Sequence, residues 1–471
     1  MSSVKRKKSD QDDAEEEEEE EEDLIKNVDT DSKLKLDDEE EAEEAEEEEA
    51  EKEAKEEREE EEEEEARDVE EIACEINPEG FAFKVLATDG RARYTSLKLP
   101  HHDCYTPMFM PVGTQGCVKG LTSRQLEEID CQVILGNTYH LGQRPGKELF
   151  WKCGGLHKFM SWKRGLLTDS GGFQMVSLAS LSDVTEEGVT FQSPIDGRSE
   201  MLTPEMSMEI QNAIGADIMM ALDDVVSSVK ISPERFEEAT HRTTRWIDRC
   251  IKAHKRPKEQ ALFGIVQGGL DDRLRDISLK GLLKRGKDLP GYAIGGLAGG
   301  EGKEDFCRVL ESALPRLPFN KPRYVMGIGY PIDIVLCTAY GGDMYDCVFP
   351  SRTARFGNAL VPEGTLKLKQ AQYKTDLRKV QEDCDCICCQ NYTRKEMNLL
   401  AGKETQGSIL LTYHNLRYLM RLCKDMRLAI EEKRYAKFCV DFTRKLYSQE
   451  ENGQIPKWVI DAFAKIDISF E

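Results

Sequence analysis

The sequence predicts an α/β fold, a (β/α)₈ barrel of parallel strands. Three observations support this prediction: short apolar runs recur eight times, helical segments lie between most of them, and the first run lacks the glycine pattern of a dinucleotide-binding sheet. Near-continuous apolar strands that alternate with helices indicate a parallel sheet covered on both faces. The eight runs are Thr106–Gly113, Gln132–His140, Leu166–Phe173, Asp217–Asp224, Leu262–Gly269, Gly291–Gly299, Arg323–Gly329 and Asp343–Pro350.

Segments of helical character separate most of these runs, which is the order of elements that a barrel requires. The clearest are Thr122–Asp130, Pro204–Ile214, Pro233–His254, Asp271–Arg285 and Glu304–Ala313. An open doubly wound sheet is the alternative. A glycine-rich phosphate loop after the first strand would favour that alternative, but the glycine pairs of this chain come in a later unit.

An acidic tail precedes the predicted barrel. Residues 1–70 hold 38 acidic and 11 basic side chains, a net charge of −27, whereas the whole chain carries −25. Such a segment buries too little apolar surface to offset its ordering entropy. We therefore predict a disordered tail over residues 1–71 and one barrel domain over residues 72–471. The basic cluster Lys5–Lys8 is either a nuclear import signal or, the interpretation we favour, a solvated charge run.

Composition narrows the classes of function. The part of the chain after the tail is close to neutral, so any contact with nucleic acid has to come from a local basic patch. No apolar signal region follows the N-terminus, and no run of about 18 apolar residues could span a membrane. We expect a reducing compartment, in which the 15 cysteines are free thiols or metal ligands and not a disulfide framework.

Polar residues and glycines cluster where the predicted strands end. Active sites of (β/α)₈ barrels lie at the C-terminal ends of the strands, so these residues should meet at one rim. Carboxylates there can perform acid–base or nucleophilic chemistry, although a single one could instead cap the next helix. The rim residues are Asn137, His140, Asp169, Ser170, Gly171, Gly172, Asp223, Asp224, Gln267, Gly268, Gly269, Gly295, Gly296, Gly327, Ile328, Gly329 and Asp346.

Four cysteines occupy six residues near the C-terminus, within a predicted metal-binding subdomain at about 380–420. The spacing Cys384, Cys386, Cys389 is that of metal ligands, with Cys388 as an alternative to Cys389. His414 is the one histidine after residue 254, so it has to be the fourth ligand of a Cys₃His site. The prediction is one Zn²⁺, and because four protein ligands leave no position for water, its role would be structural.

Six long motifs occur in order along the chain: LLTDSGGFQMVSL (Leu166–Leu178), IMMALDDVVSS (Ile218–Ser228), FGIVQGG (Phe263–Gly269), AIGGLAGGE (Ala293–Glu301), DMYDCVFPSRTARFG (Asp343–Gly357) and CDCICC with His414. With them the chain resembles the tRNA-guanine transglycosylase family, over about residues 78–471, and within it the eukaryotic branch that uses queuine. The resemblance implies a (β/α)₈ barrel with a zinc-binding insertion. It also implies a pentosyltransferase that exchanges guanine at wobble position 34 of GUN-anticodon tRNAs for queuine without cutting the strand.

The resemblance also implies the roles of two carboxylates. Asp346 matches the family nucleophile, which attacks C1′ of the ribose and forms a covalent ribosyl-enzyme. Asp169 matches the general acid/base, which protonates the departing guanine and deprotonates the incoming base. Two displacements at the same carbon give net retention, as in retaining glycosidases.

By the same resemblance, a set of residues forms the base pocket. Phe173 and Met326 would sandwich the purine ring. Val225 and Gly299 would set the pocket size, because glycine at 299 leaves space for the cyclopentenediol of queuine where bacterial members usually carry valine. The substrate-binding residues are Asp169, Ser170, Gly171, Gly172, Phe173, Asp223, Gln267, Gly295, Gly296, Leu297 and Met326.

RNA contacts and partners are implied in the same way. The family's RNA-binding stretches match Gly327, Gly329, Tyr330, Asp333, Ser351, Arg352, Thr353 and Arg355. The implied substrates are queuine and the tRNAs for Asp, Asn, His and Tyr. Eukaryotic members pair with a non-catalytic paralogue of the same fold, which implies a heterodimer. The implied location is the cytoplasm, with association with the mitochondrial outer surface.

Overall fold

The computed structural model describes residues 78–172, 182–193, 197–226, 232–297, 299–450 and 453–470. The tail predicted over residues 1–71 lies outside the described residues, and so does Phe173.

The described strands form one parallel sheet and three antiparallel sheets. In chain order they are β1 (Ala82–Asp89), β2 (Ala92–Lys98), β3 (Asp103–Thr106), β4 (Met108–Pro111), β5 (Val133–Gly136), β6 (Gly165–Thr168), β7 (Ser182–Val184), β8 (Val189–Gln192), β9 (Ser199–Leu202), β10 (Ile218–Met220), β11 (Ala261–Val266), β12 (Gly291–Ile294), β13 (Arg323–Val325), β14 (Met344–Cys347), β15 (Asn358–Val361) and β16 (Gly364–Lys367). The antiparallel sheets are β1–β2–β3, β7–β8–β9 and β15–β16. The sequence pattern did not predict these three small sheets.

The parallel sheet has eight strands in the order β4-β14-β13-β12-β11-β10-β6-β5. Its two edge strands also approach each other, because Val112 and Leu135 form an isolated parallel bridge. The N–H of Gly113 donates to the carbonyl oxygen of Leu135 at 2.7 Å. The sheet is therefore nearly closed into a barrel. Each of the eight predicted runs overlaps one of its strands, which confirms the predicted fold class.

Helices follow most of the barrel strands. They are α1 (Ser123–Glu128), α2 (Thr138–Leu141), α3 (Lys147–Cys153), α4 (Leu156–Met160), α5 (Pro204–Ile214), α6 (Pro233–Ala253), α7 (Asp272–Leu283), α8 (Lys303–Ala313), α9 (Pro331–Ala339), α10 (Phe349–Arg355), α11 (Ile387–Asn391), α12 (Arg394–Leu400), α13 (Thr405–Glu431), α14 (Tyr435–Leu446) and α15 (Lys457–Ala464), with a π-turn at Gly142–Gly146 and a 3₁₀ turn at Ala371–Thr375. None of the described helices is both long and apolar enough to cross a bilayer.

The start of α5 shows why these segments become helices. The Thr203 hydroxyl accepts a hydrogen bond from the backbone N–H of Met206, and Pro204 occupies the first helical position, where no backbone donor is needed. Ser232 and Pro233 repeat the arrangement at the start of α6. The five helical segments predicted from sequence correspond to α1, α5, α6, α7 and α8.

Two apolar clusters hold the barrel together. The inner cluster fills the barrel interior with side chains from successive strands, among them Met110, Leu167, Ile265, Tyr324 and Met344. A larger outer cluster lies between the strands and the surrounding helices. A filled interior is typical of (β/α)₈ barrels and leaves the strand ends as the place for a site.

A buried carboxylate, Asp217, precedes β10 at the opposite end of the barrel from the rim. It accepts hydrogen bonds from His101 Nδ1 at 2.7 Å and from the backbone N–H of Leu166 at 2.8 Å, and His157 Nε2 lies 3.3 Å away. Burial alone would raise the pKa of Asp217, but the bonds from both histidines outweigh burial and lower it. This ionised group fixes the start of the strand that leads to Asp223.

Candidate active site

Asp346 lies near the end of β14, where two neighbouring groups hold one of its oxygens. The Tyr324 hydroxyl donates to Oδ1 at 2.5 Å, and the backbone N–H of Gly327 donates to the same atom at 2.8 Å. Oδ2 has no hydrogen-bond partner among the described residues. The carboxylate is thus held in one orientation with one oxygen free to react.

Burial decides the protonation of this pair. Burial raises the pKa of Asp346, and the hydrogen bonds from Tyr324 and Gly327 offset only part of this increase. Burial, together with the charge of Asp346, raises the pKa of Tyr324 well above its usual range. Tyr324 therefore keeps its proton at neutral pH and acts as a donor. Sequence reasoning missed Tyr324, because a tyrosine inside an apolar run reads as an ordinary core residue.

Asp169 follows β6 and is held by the start of α2. The backbone N–H of Thr138 donates to Oδ1 at 2.9 Å, and the side-chain amide of Asn137 donates to Oδ2. The Thr138 hydroxyl also bonds the backbone carbonyl of Asp169. The charge of Asp169 contributes to the raised pKa of Tyr324, so both carboxylates act on the same phenol. Asn137 was among the predicted rim residues, whereas Thr138 was not.

A third carboxylate, Asp223, lies buried after β10. The Ser170 hydroxyl donates to Oδ1 at 2.8 Å, and the Gln267 amide donates through Nε2 to Oδ2 at 2.6 Å. Burial raises the pKa of Asp223 to about 6, against the lowering effect of these two bonds. Three segments far apart in sequence therefore meet here in one network of hydrogen bonds, as the rim prediction expected.

Glycines allow the backbone to pass close to the polar groups of this network. A side chain at Gly296, where φ is +66°, would place its Cβ 2.6 Å from Gln267 Oε1, and one at Gly295 would lie 2.6 Å from Ile265. A Cβ at Gly172 would lie 2.9 Å from the backbone oxygen of Asp223. Larger residues at these positions would displace the polar groups of the site.

The remaining predicted pocket residues differ in their burial and contacts. Leu297 is half-buried and packs against the outer cluster, and Met326 packs against the inner cluster. Val225 is half-buried, whereas Gly299 is exposed and its N–H donates to Glu301 at 2.8 Å. Gly171 has a φ of +89°.

The predicted RNA-binding residues divide by exposure. Tyr330 is 55% exposed, and its ring lies on that of Phe349 with centroids 4.1 Å apart. Arg352 and Arg355 are exposed on α10 beside the exposed Phe356. These side chains present aromatic and basic groups a few residues from Asp346.

The other predicted RNA-binding residues have partners inside the protein. Ser351 donates to the carbonyl of Val348 at 3.1 Å, and Thr353 accepts from Asn358 at 2.9 Å. Asp333 is buried and forms an ion pair with Lys303 at 2.7 Å. Gly329 packs so tightly that an added Cβ would lie 2.3 Å from the Cβ of Cys347.

The predicted metal ligands lie together. Nδ1 of the buried His414 lies 3.6, 3.5 and 3.3 Å from the sulfur atoms of Cys384, Cys386 and Cys389. These four ligand atoms all lie within 4.8 Å of one another, and Cys388 is not among them. His414 Nε2 is 2.8 Å from the Leu360 carbonyl, which fixes the proton there and leaves the lone pair of Nδ1 directed at the sulfurs. The group can hold a metal ion and suits zinc.

Helix α13 connects this cluster to the segment after Asp346. Asn415, next to His414, donates to the carbonyl oxygens of Pro350 at 3.0 Å and Asn358 at 3.1 Å. Its own Oδ1 accepts from the N–H of Leu360 at 2.8 Å. The predicted metal ligand and the residue that supports α10 are thus consecutive in the chain.

Comparison with known proteins agrees with the motifs. The sequence model of the queuine tRNA-ribosyltransferase family matches residues 89–448. The chain is 48% identical over 395 residues to the queuine tRNA-ribosyltransferase catalytic subunit of Schizosaccharomyces pombe, covering 82% of this chain and 97% of that protein. It is 49% identical over 386 residues to the queuine tRNA-ribosyltransferase of Thermus thermophilus, covering 82% and 98%. The chain therefore belongs to the queuine tRNA-ribosyltransferase family and is a pentosyltransferase.

Proposed function

We propose that this enzyme replaces guanine at wobble position 34 of tRNAs with a GUN anticodon by queuine. The observation that carries the proposal is Asp346, whose Oδ1 is held by Tyr324 and Gly327 while Oδ2 is free. A carboxylate in this state is a preorganised nucleophile. Asp169 and the pair of Asp223 and Gln267 supply a second carboxylate and a base-reading group on the same rim.

The reaction proceeds in two displacements at C1′ of the ribose. In the first, Asp346 Oδ2 forms a bond to C1′, the bond from C1′ to N9 of guanine breaks, and Asp169 gives a proton to the leaving base. In the second, Asp169 takes the corresponding proton from queuine, whose nitrogen attacks C1′ and releases the Asp346 carboxylate. Each step inverts the carbon, so the product retains its configuration.

Asp223 reads the base by accepting N–H groups from the purine edge, with the Gln267 amide beside it. The glycines at 295 and 296 let the base approach the backbone, and Leu297 contributes its own backbone groups. Met326 contacts one face of the ring, and Phe173 the other. A buried carboxylate rejects bases that lack the matching donors, since it would then be left without partners.

The base-binding step should depend on pH through Asp223. Because burial raises its pKa to about 6, the carboxylate loses its charge as pH falls through that value and no longer accepts two N–H groups. We expect the KM for guanine to rise about tenfold per pH unit below about pH 6 at saturating tRNA. The measurement is KM from about pH 5 to about pH 8. Asp223→Asn should give a high KM without this pH dependence, and a flat wild-type profile would contradict the assignment.

The incoming base is queuine and not a smaller precursor. Gly299 is exposed and carries no side chain, which leaves room for the cyclopentenediol, and Val225 forms another part of the wall. The test is release of labelled guanine from a tRNA with a GUN anticodon, in the presence of queuine or of its precursor base. We expect efficient release with queuine and slow release with the precursor. Equal or reversed rates would contradict the queuine assignment, and no release from any GUN tRNA would contradict the proposed reaction.

The RNA, the metal and the partner complete the proposal. Arg352 and Arg355 hold phosphates or base edges next to the wobble nucleotide, and the stretch from Gly327 to Asp333 lines the other side. The Cys₃His cluster holds one structural Zn²⁺ in the subdomain at about 380–420.

The substrates are the tRNAs for Asp, Asn, His and Tyr, and the enzyme acts in the cytoplasm as a heterodimer with a non-catalytic paralogue. The name of the Schizosaccharomyces pombe relative, which specifies a catalytic subunit, supports pairing with a second subunit.

A further inference from the structure

Arg275 is a buried cation at the base pocket that the proposed reaction does not use. It lies on α7 and is 3% exposed. Its Nε donates to the carbonyl of Gly269 at 2.8 Å, and its Nη1 donates to the carbonyl of Val266 at 3.0 Å. These two carbonyls bracket Gln267 and Gly268, so the guanidinium closes the loop that carries the base-reading amide.

The third nitrogen of Arg275, Nη2, is buried and has no hydrogen-bond partner among the described residues. It borders the same space beside Gly296 as the side-chain oxygen of Gln267, Oε1. A Cβ built on Gly296 would lie 3.4 Å from Arg275 Nη2 and 2.6 Å from Gln267 Oε1. Burial lowers the pKa of Arg275 to about 10, so the group is still a cation at neutral pH.

The Gln267 side chain therefore has an anion bonded to one end of its amide and a cation near the other end. Its Nε2 donates to the Asp223 carboxylate at 2.6 Å, and its Oε1 borders the same space beside Gly296 as Arg275 Nη2. Rotating the amide by half a turn would bring oxygen against carboxylate and NH₂ against guanidinium, and both changes are unfavourable in a buried site. The backbone of Gln267 is held separately, since its N–H donates to Ser278 at 3.0 Å.

We propose that Arg275 is a positioning residue that fixes which end of the Gln267 amide faces Asp223, and thereby which purine edge the pocket accepts. The proposal rests on the proposed function, in which Asp223 and Gln267 read the base. A purine bound beside Asp223 meets the N–H end of the Gln267 amide. This end can donate a hydrogen bond to a 6-oxo group of the purine. If the amide could turn, its oxygen would accept equally well from a 6-amino group.

The test compares guanine with 2,6-diaminopurine, which carries an amino group in place of the 6-oxo group. The measured quantity is the inhibition constant of 2,6-diaminopurine in the guanine exchange reaction, divided by the KM for guanine. This ratio reports how well the pocket discriminates between the two bases. In Arg275→Met we expect this ratio to fall about tenfold, because one of the two charges that orient the amide is gone and the turned amide becomes less unfavourable. The kcat at saturating guanine and the Kd for tRNA should stay within about twofold. Arg275→Lys, which keeps the cation, should preserve most of the discrimination.

The matched control is Arg273→Met. Arg273 is on the same helix but exposed, with its ion pair to Glu237 on the surface, so its loss should leave the ratio unchanged. A lower Tm for Arg275→Met with an unchanged ratio would show that Arg275 only supports the loop, and would overturn the proposal while the proposed function stands. Loss of discrimination in Arg275→Lys equal to that in Arg275→Met would also overturn it. Absence of guanine exchange by the wild type would instead refute the proposed function, and the role of Arg275 with it.

Discussion

Replacing Asp346 with Asn should reduce guanine exchange by about 10⁴-fold or more, since the loss of a nucleophile removes the covalent route. The substitution keeps the shape of the side chain. The amide oxygen of an asparagine at this position can still accept the bonds from Tyr324 and Gly327, so the fold and tRNA binding should be preserved. The measurement is the initial rate of labelled guanine incorporation, with denaturing gels to detect the covalent complex of enzyme and tRNA.

Two further variants make this result specific. Asp346→Ala should lose the same activity, which excludes residual turnover from an amide that has reverted to acid. Tyr324→Phe keeps the ring in the inner cluster and removes only one donor to Oδ1, so we expect a smaller loss of about tenfold. Exchange by Asp346→Ala at the wild-type rate, or an unchanged covalent band in that variant, would refute the nucleophile assignment.

Replacing His414 with Ala should remove the metal and destabilise the C-terminal part of the protein by several kcal/mol. The histidine is fully buried with Nδ1 within 3.6 Å of all three sulfurs, so its loss leaves three thiols without their fourth ligand. The binding free energy of a structural zinc is folding free energy, about 10 kcal/mol or more in small zinc domains. The measurements are metal content per chain by elemental analysis and the Tm.

The control for this prediction is Cys388→Ala. Cys388 is as buried as the ligands and lies beside Cys389, but its sulfur is not part of the cluster. This variant should keep one metal per chain and lose only the contribution of a small buried side chain, about 1 kcal/mol. A His414→Ala protein with full metal content and an unchanged Tm would contradict the assignment, and loss of metal in Cys388→Ala would show that the register of the ligands is wrong.

The barrel was predictable because its strands are buried on both faces. Each becomes a short apolar run, and capped helices such as α5 separate them. The small antiparallel sheets were not predictable in the same way. β1 alternates exposed and half-buried residues, and β7 to β9 are three or four residues long, so neither gives a clear apolar run.

The candidate site was predictable as a set of residues at one rim, but not as a network of hydrogen bonds. The bond from Tyr324 to Asp346 exists because β13 pairs with β14 in parallel register, a contact that depends on the order of strands in the sheet. The direction of Ser351 and Thr353 depends on helix α10, which turns them inward and leaves Arg352 and Arg355 outside. The RNA-binding role of each of these residues stays a prediction.

Helix α13 links the candidate metal cluster to the predicted RNA-binding helix. His414 is a predicted metal ligand, and Asn415 bonds Pro350 at the start of α10, the helix that carries Arg352 and Arg355. A ligand that stabilises α10 and a metal that stabilises α13 then act as positive effectors of each other, and the coupling free energy has to be the same in both directions. A chain saturated with tRNA should accordingly hold its metal more tightly against a chelator than the free chain does.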